Sequence, residues 1–394
     1  MITSLAWWVF LAVAPVLFWT TPKPHRQWVL SAASLASLAV YAPRDVTLMA
    51  VMAAIIYAAF FVRTEAFVAR RTTILVVLVL LFLWWSKYLP QILLAVGNPG
   101  NTFALLVPLG VSYFCFKLMH YAIDRGRNQF APHTAGDFAG FMFLAPIFTA
   151  GPIERFENYL ASRDLDFQPN YLIEGATRII QGIVKKFFVC VLLAEAMEKV
   201  TGGSVLTLLS QLPSSSALQV WVFLYLSLAF IYFDFSAYTD IAIGASRVFG
   251  IRISENFNYP FLATSLPHFW LRWHMTLANW CRIYIYMSMI GLMRNPYVAI
   301  LATFTVMGIW HAGWPPHWLV WGLWHGVGCI VALVWGRYAK RAKIAFFNSL
   351  PGTILAWAMT MTYVAMGAAF TSLHGRASLF DSVRLLAKGF GLDI

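Results

Sequence analysis

An all-α, polytopic membrane protein is the fold class this sequence predicts, and three observations predict it. Hydrophobic residues make up 60% of the 394 and charged residues 11%, with a mean hydropathy of +0.69, more apolar surface than a soluble core can absorb. The apolar runs have the length of helices and lack the roughly ten-residue alternation of a membrane barrel. Finally, five of the nine histidines fall in one very apolar stretch, Pro267–Gly326, together with Arg272, Arg282 and Arg294. Ionisable side chains are costly at bilayer depth, so where they occur they usually face a cavity and carry function.

Charge and cysteine usage narrow the class further. A formal net charge of +12 is compatible with nucleic acid, but in a membrane chain basic loops lie against anionic lipid on the cytoplasmic side, and no nucleic-acid partner is expected. Cys115, Cys190, Cys281 and Cys329 are far apart in apolar sequence, with neither disulfide nor metal-ligand spacing. No metal is expected.

Taken in order, the first spans are Leu5–Thr20, Gln27–Ala42, Val46–Val62 and Thr72–Ser86. The run after Met1 has no basic leader and no small-residue cleavage site, so Leu5–Thr20 reads as a retained span. Loop charge alternates: Lys23 and Arg26 in the first loop and Arg63, Arg70 and Arg71 in the third contrast with Arg44 beside Asp45 in the second and none around Asn98–Asn101. By the positive-inside rule the N-terminus is outside. From Phe103 the pattern becomes interrupted. Phe103–Ile123 carries Pro108, Gly110 and Lys117; Asp137–Gly151 is short, broken by Pro146 and flanked by charge, and reads as a re-entrant hairpin forming a cavity wall. Tyr171–Met197 places Glu174, Arg178, Lys185 and Lys186 as one face of an interfacial or partly inserted helix, and Thr201–Ser216 is a polar gap.

Ala217–Gly250 contains Asp234 and Asp240, which fall on different helix faces and are expected to cap or anchor loops. Pro267 opens a helix on which Trp270, His274, Leu277 and Cys281 share a stripe, making His274 a core or a cavity-lining histidine. Asn295–Trp310 is an apolar span that His311 ends, and Ala312, Gly313, Pro315 and Pro316 oppose its continuation. A histidine at a helix C-terminus can turn its ring into open space, and the dipole there favours the imidazolium that a general base must briefly hold; the alternative is a packing histidine bonded to a carbonyl. His317–Arg337 carries Gly322 and Gly326 as a close-packing pair with a structural His325; Lys340, Arg341 and Lys343 mark a cytoplasmic loop. Leu355–Phe370 is the last span and Leu379–Leu392 an amphipathic tail.

Six ordered blocks carry a family resemblance: PLGVSYFCFKLMHYAID at Pro108–Asp124, FMFLAPIFTAGPIERFENY at Phe141–Tyr159, YFDFSAYTDIAIG at Tyr232–Gly244, ENFNYPF at Glu255–Phe261, FWLRWHMTLANWCRIYIY at Phe269–Tyr286 and WHAGWPPHWLVWGLWHG at Trp310–Gly326. Together they resemble the membrane-bound O-acyltransferase (MBOAT) family, in its bacterial branch with alginate O-acetylase and the teichoic-acid D-alanyl transfer protein. The resemblance covers about Phe103 to Arg337. It implies about 11–12 transmembrane or re-entrant helices around a central funnel or tunnel, divided as N-terminal helices 1–100, a catalytic core 101–340 and a C-terminal helix with amphipathic tail 341–394.

The same resemblance makes His311 the catalytic histidine and His274 its supporting one, with Asn279, Arg272, Arg282, Trp310, Asp240 and Tyr238 as substrate-binding candidates. The implied reaction moves an acyl group, acetyl or D-alanyl, from a cytoplasmic thioester to a hydroxyl of an extracytoplasmic polysaccharide or partner protein. The donor would be acetyl-CoA or a carrier-protein thioester, used as substrate with no tightly bound cofactor, and the location a bacterial cytoplasmic (inner) membrane. Two positions depart from the family pattern: Ala312 follows His311 where glycine is usual, and Ile283 follows Arg282 where an acid is usual. A transporter or flippase, with its broken helices and midplane ionisable groups, and a non-catalytic scaffold of a polysaccharide-modifying complex are the competing classes.

Overall fold

A computed structural model describes residues 3–61, 68–95, 108–163, 165–312 and 316–393. It is helical throughout, with no strand among the described residues. Among the described residues, four helices are long and apolar enough to cross a membrane: Val68–Leu93, Ala217–Arg247, His317–Arg341 and Leu350–Leu373. The chain is an all-α polytopic membrane protein.

In chain order the helices are α1 (Leu5–Thr20), α2 (Lys23–Ala39), α3 (Pro43–Ala58), α4 (Val68–Leu83), α5 (Leu89–Ala95), α6 (Val111–Gly126), α7 (Ala135–Met142), α8 (Phe156–Leu160), α9 (Asn170–Val184) and α10 (Cys190–Thr201). They continue as α11 (Val205–Ser210), α12 (Ala217–Arg247), α13 (Leu266–Trp270), α14 (Met275–Cys281), α15 (Met287–Met293), α16 (Pro296–Ala312), α17 (His317–Arg341), α18 (Leu350–Leu373) and α19 (Leu379–Gly389). The first span has the expected limits; α2 and α3 start three or four residues early because proline takes the first helical turn of each. The expected polar gap after Thr201 contains α11, capped by the Ser204 hydroxyl. Arg63, the Asn98–Asn101 loop, the start of Phe103–Ile123, Gly313 and Pro315 lie outside the described residues.

The helices group into two compact units, Met1–Gly182 with Tyr238–Glu255, and Ile183–Ala237 with Asn256–Ile394. In the first, the short broken segment after Asp124 is what the proline and glycine pattern implied. The Thr134 capping box starts α7, which ends at Met142, and a single 3-10 turn, Ala145–Ile147, follows. Beneath it Tyr121, Phe130, Phe138, Phe141, Phe156 and Tyr159 form a buried aromatic cluster with ring centroids 4.5–5.6 Å apart in successive pairs.

The polar residues of this region pair with one another. Glu174 meets Arg247 at 2.6 Å, and Arg178 meets Asp240 at 2.8 Å and Glu255 at 2.5 Å. The approach is set by Gly175 and Gly244, where a Cβ on either would lie 2.6–2.8 Å from the other's carbonyl oxygen. In the second unit Lys185 donates to Ser236 at 2.7 Å and Lys186 pairs with Asp234. Asp234 and Asp240 are therefore not caps. Each is the counter-charge of a cation on another helix, which is what a carboxylate in an apolar setting requires.

The second unit is dominated by the α16–α17 pair. An added Cβ at Gly308 would strike the Trp318 carbonyl, and one at Gly322 the Phe304 carbonyl. In a bilayer, helix association rests on close packing rather than on removal from water, so small residues at the crossing decide it. Gly326 rests on the Phe304 side chain, with the added Cβ position 3.1 Å from that residue's Cβ.

Candidate active site

The crossing at Gly308 and Gly322 positions His311. One turn beyond Gly308 on α16, its ring stacks on Trp318 of α17 at 4.6 Å with an interplanar angle of 7°, and meets the Trp310 and Trp321 rings edge-on at 4.7 and 5.2 Å. Its Nδ1 lies 2.7 Å from the Met307 carbonyl. A carbonyl can only accept, so Nδ1 carries the hydrogen, and in the neutral ring the lone pair is on Nε2. The residue is partly exposed and stands in the last turn of its helix, as its sequence position implied. Sequence left open a catalytic histidine or one bonded to a carbonyl; the carbonyl bond is present, and it fixes the tautomer a base needs.

His274 is reached differently. The continuous stripe Trp270–His274–Leu277–Cys281 is not formed, because the helix breaks: α13 ends at Trp270, and His274 is the residue before α14, with φ 43° and ψ 50°. Left-handed backbone is strained for a non-glycine residue, by about 1–3 kcal/mol, and persists only where the surroundings impose it. Asn256 imposes it here. Its carbonyl accepts from Met275 N–H at 2.9 Å, and its Oδ1 accepts from Thr276 Oγ1 at 2.6 Å and from Thr276 N–H at 3.4 Å. The backbone N–H can only donate, so the facing Asn256 atom is oxygen, and His274 Nδ1, 3.1 Å from it, donates as well. The His274 Nε2 therefore carries a lone pair. The ring is buried, lies edge-on to Phe235 at 4.7 Å, and is within electrostatic reach of His311.

Two other histidines of this stretch, His268 and His325, are held in structural roles. His268 Nε2 accepts from Arg272 Nε at 2.8 Å, and Arg272 also donates to the Asn258 carbonyl at 3.0 Å. Arg272 is thus a loop anchor in this conformation. His325 is buried among Trp270, Trp321 and Tyr363, 4.9–6.3 Å between ring centroids. Of the remaining candidates, Asn279 accepts from Arg282 through Oδ1 at 2.8 Å, which turns its amide N–H donors away from the guanidinium. Trp310 edges His311. The structure thus brings His274, His311 and Trp310 together, and Asn279 with Arg282, in the second unit. Tyr238, whose hydroxyl lies 2.6 Å from that of Thr149, and Asp240 belong to the first. Trp318, the partner of the His311 ring, was missed; lying seven residues from His311, across a helix break, it gave no periodic signal.

The first unit holds a cavity of about 530 Å³ lined by Glu174, Arg178, Arg247 and Arg252 among others, with neither candidate histidine. It also holds a compact His120–Asp124–Glu157 cluster. Phe156 N–H donates to His120 Nε2 at 2.9 Å, His120 Nδ1 lies 3.1 Å from Asp124, and Arg155 bridges Asp124 and Glu157 at 3.3 and 2.5 Å. With one ring nitrogen capped by a backbone N–H and a guanidinium already among the carboxylates, this is an ion-pair hub, not a metal site.

The family model for the membrane-bound O-acyltransferases matches residues 35–371. A probable alginate O-acetylase of Azotobacter vinelandii is 30% identical over 91% of this chain and 72% of its own length. One of Pseudomonas aeruginosa is 32% identical over 78% of this chain, which spans 58% of that relative's length. A teichoic acid D-alanyltransferase of Streptococcus thermophilus is 31% identical over 64% of this chain and 63% of the relative. A family match that takes in all six sequence blocks and both histidines with fixed tautomers leads to one conclusion: this chain belongs to the membrane-bound O-acyltransferase family.

Proposed function

We propose that this protein is an O-acyltransferase moving an acyl group from a cytoplasmic thioester to a hydroxyl of an extracytoplasmic polysaccharide or partner protein, with His311 as general base. The observation that carries this is the His311 tautomer: Nδ1 is held by the Met307 carbonyl, and the lone pair is on Nε2. A hydroxyl is a poor nucleophile until a base takes its proton, and imidazole suits that near neutral pH. The acceptor O–H gives its proton to Nε2 as its oxygen bonds to the thioester carbonyl carbon. The tetrahedral oxyanion then collapses, the C–S bond breaks, and the departing sulfur takes the proton from the imidazolium. His274, neutral and held in one tautomer by Asn256, is the supporting histidine, and an Asn279 N–H serves the developing oxyanion. The relatives' names, alginate O-acetylase and teichoic acid D-alanyltransferase, favour acetyl or D-alanyl as the group moved.

The test is purified protein in nanodiscs offered labelled acetyl-CoA and a D-alanyl carrier-protein thioester. Acceptor-dependent thioester consumption that disappears in His311→Ala is expected. A transporter or a scaffold would consume neither thioester, and either outcome would overturn the enzymatic reading.

A further inference from the structure

A neutral imidazole offers one N–H donor and one lone pair, and buried polar groups normally find partners for both. His317, the first residue of α17, departs from that rule. Its ring is buried, and neither Nδ1 nor Nε2 has a hydrogen-bond partner. His374, the residue after α18, approaches from the neighbouring helix. Its Nδ1 is also buried and unpartnered, and the two rings lie 5.9 Å apart at 76°. A hydrogen-bonded oxygen needs about 2.8–3.0 Å from each nitrogen, a spacing that rings so placed permit. Trp318 links the pair to the candidate base, 6.2 Å from His374 and stacked on His311.

We propose that His317 and His374 bind the acceptor, holding a hydroxyl-rich sugar or polyol beside His311. This rests on the acyl-transfer reading above. The chemistry selects the ligand class. A hydroxyl both donates and accepts, so it meets a bare ring nitrogen and a ring N–H together. A carboxylate, phosphodiester or thioester carbonyl only accepts and would leave the bare nitrogens unmet; an acyl chain meets neither. The position fits the same class. α17 has 25 residues and ends beside Lys340, Arg341 and Lys343. At about 1.5 Å per residue it spans the apolar bilayer, so the positive-inside rule puts His317 at the extracytoplasmic end, where an envelope polymer arrives and a cytoplasmic thioester does not.

Two measurements on the full chain in nanodiscs test this. The first is equilibrium binding of glycerol, cellotetraose and a mannuronate tetramer to donor-free protein, read by thermal shift. At least one should bind wild type, with roughly tenfold or greater weakening in His317→Phe, partial recovery in His317→Asn and a smaller loss in His374→Phe. The second is acetyl transfer to whichever of them binds, where His317→Phe should raise the acceptor KM at least tenfold with a much smaller change in kcat, and His317→Asn should recover part of the KM. No binding by wild type, or unchanged binding and KM in His317→Phe, overturns the proposal. Binding that follows this pattern in a protein that consumes no thioester would leave the site standing and remove the acyl-transfer reading instead.

Discussion

His120 and His311 look alike in the sequence, each a lone histidine in an apolar helix, yet their surroundings give them opposite capacities. At His120 both ring nitrogens are spent: Nδ1 faces Asp124 and Nε2 accepts the Phe156 N–H, with Arg155 balancing the carboxylates. At His311 one nitrogen is anchored to a carbonyl of its own helix, and the ring lies flat on an indole in a partly exposed position. The first arrangement consumes an imidazole to hold a fold together; the second orients one for proton transfer. What separates the two histidines here is their setting: a buried ion-pair hub around His120, and a partly exposed ring stacked on an indole at His311.

The contrast can be broken by exchange of phenotypes. His311→Ala is expected to lower acyl transfer by at least about 100-fold, the contribution typical of a positioned general base, with an unchanged thermal midpoint. His120→Ala removes one partner of buried Asp124 and the acceptor of the Phe156 N–H, and should destabilise the protein by about 1–3 kcal/mol, read as a lower midpoint in detergent. If His120→Ala were stable and His311→Ala unfolded, the two assignments would be reversed. Gly308→Ala sharpens the comparison, since it should push α17 and its Trp318 away from His311 and cost about 1–3 kcal/mol, whereas Gly291→Ala, with nothing within 4 Å of the added carbon, should be neutral or slightly stabilising. Asn256→Ala removes the oxygen that fixes the His274 tautomer and should reduce transfer about tenfold, with Asn256→Asp recovering part of it by keeping an acceptor. Smallest is Lys186→Ala: the Lys186–Asp234 pair is more than a third exposed on both sides, so a midpoint change equivalent to no more than about 1 kcal/mol is expected.

Much of the fold was legible because hydropathy and helix punctuation are local. The limits of α1, the proline start of α13, the break after Met142 and His311 at the end of α16 all follow from residues within a turn or two of the feature. The rest depends on partners far along the chain. The strained turn at His274 is imposed by Asn256, 18 residues earlier, so a helical stripe through His274 was the natural reading of its neighbours and the wrong one. Arg178 and Asp240 lie 62 positions apart, and a helix wheel shows only that each needs a counter-charge, not where it comes from. At the candidate site, the residue types and the helix end were visible in sequence, whereas the two tautomers and the Trp318 stack needed three-dimensional packing.

All four cysteines, Cys115, Cys190, Cys281 and Cys329, are free and buried. The native molecule therefore presents a quiet background to membrane-impermeant maleimides, and a single thiol introduced at an exposed loop position will report on its own. Placed at Lys343 it should stay dark in intact cells, and at Gly375 it should label, so the sidedness of the two ends of α18 can be read without dismantling a single native residue of the interior.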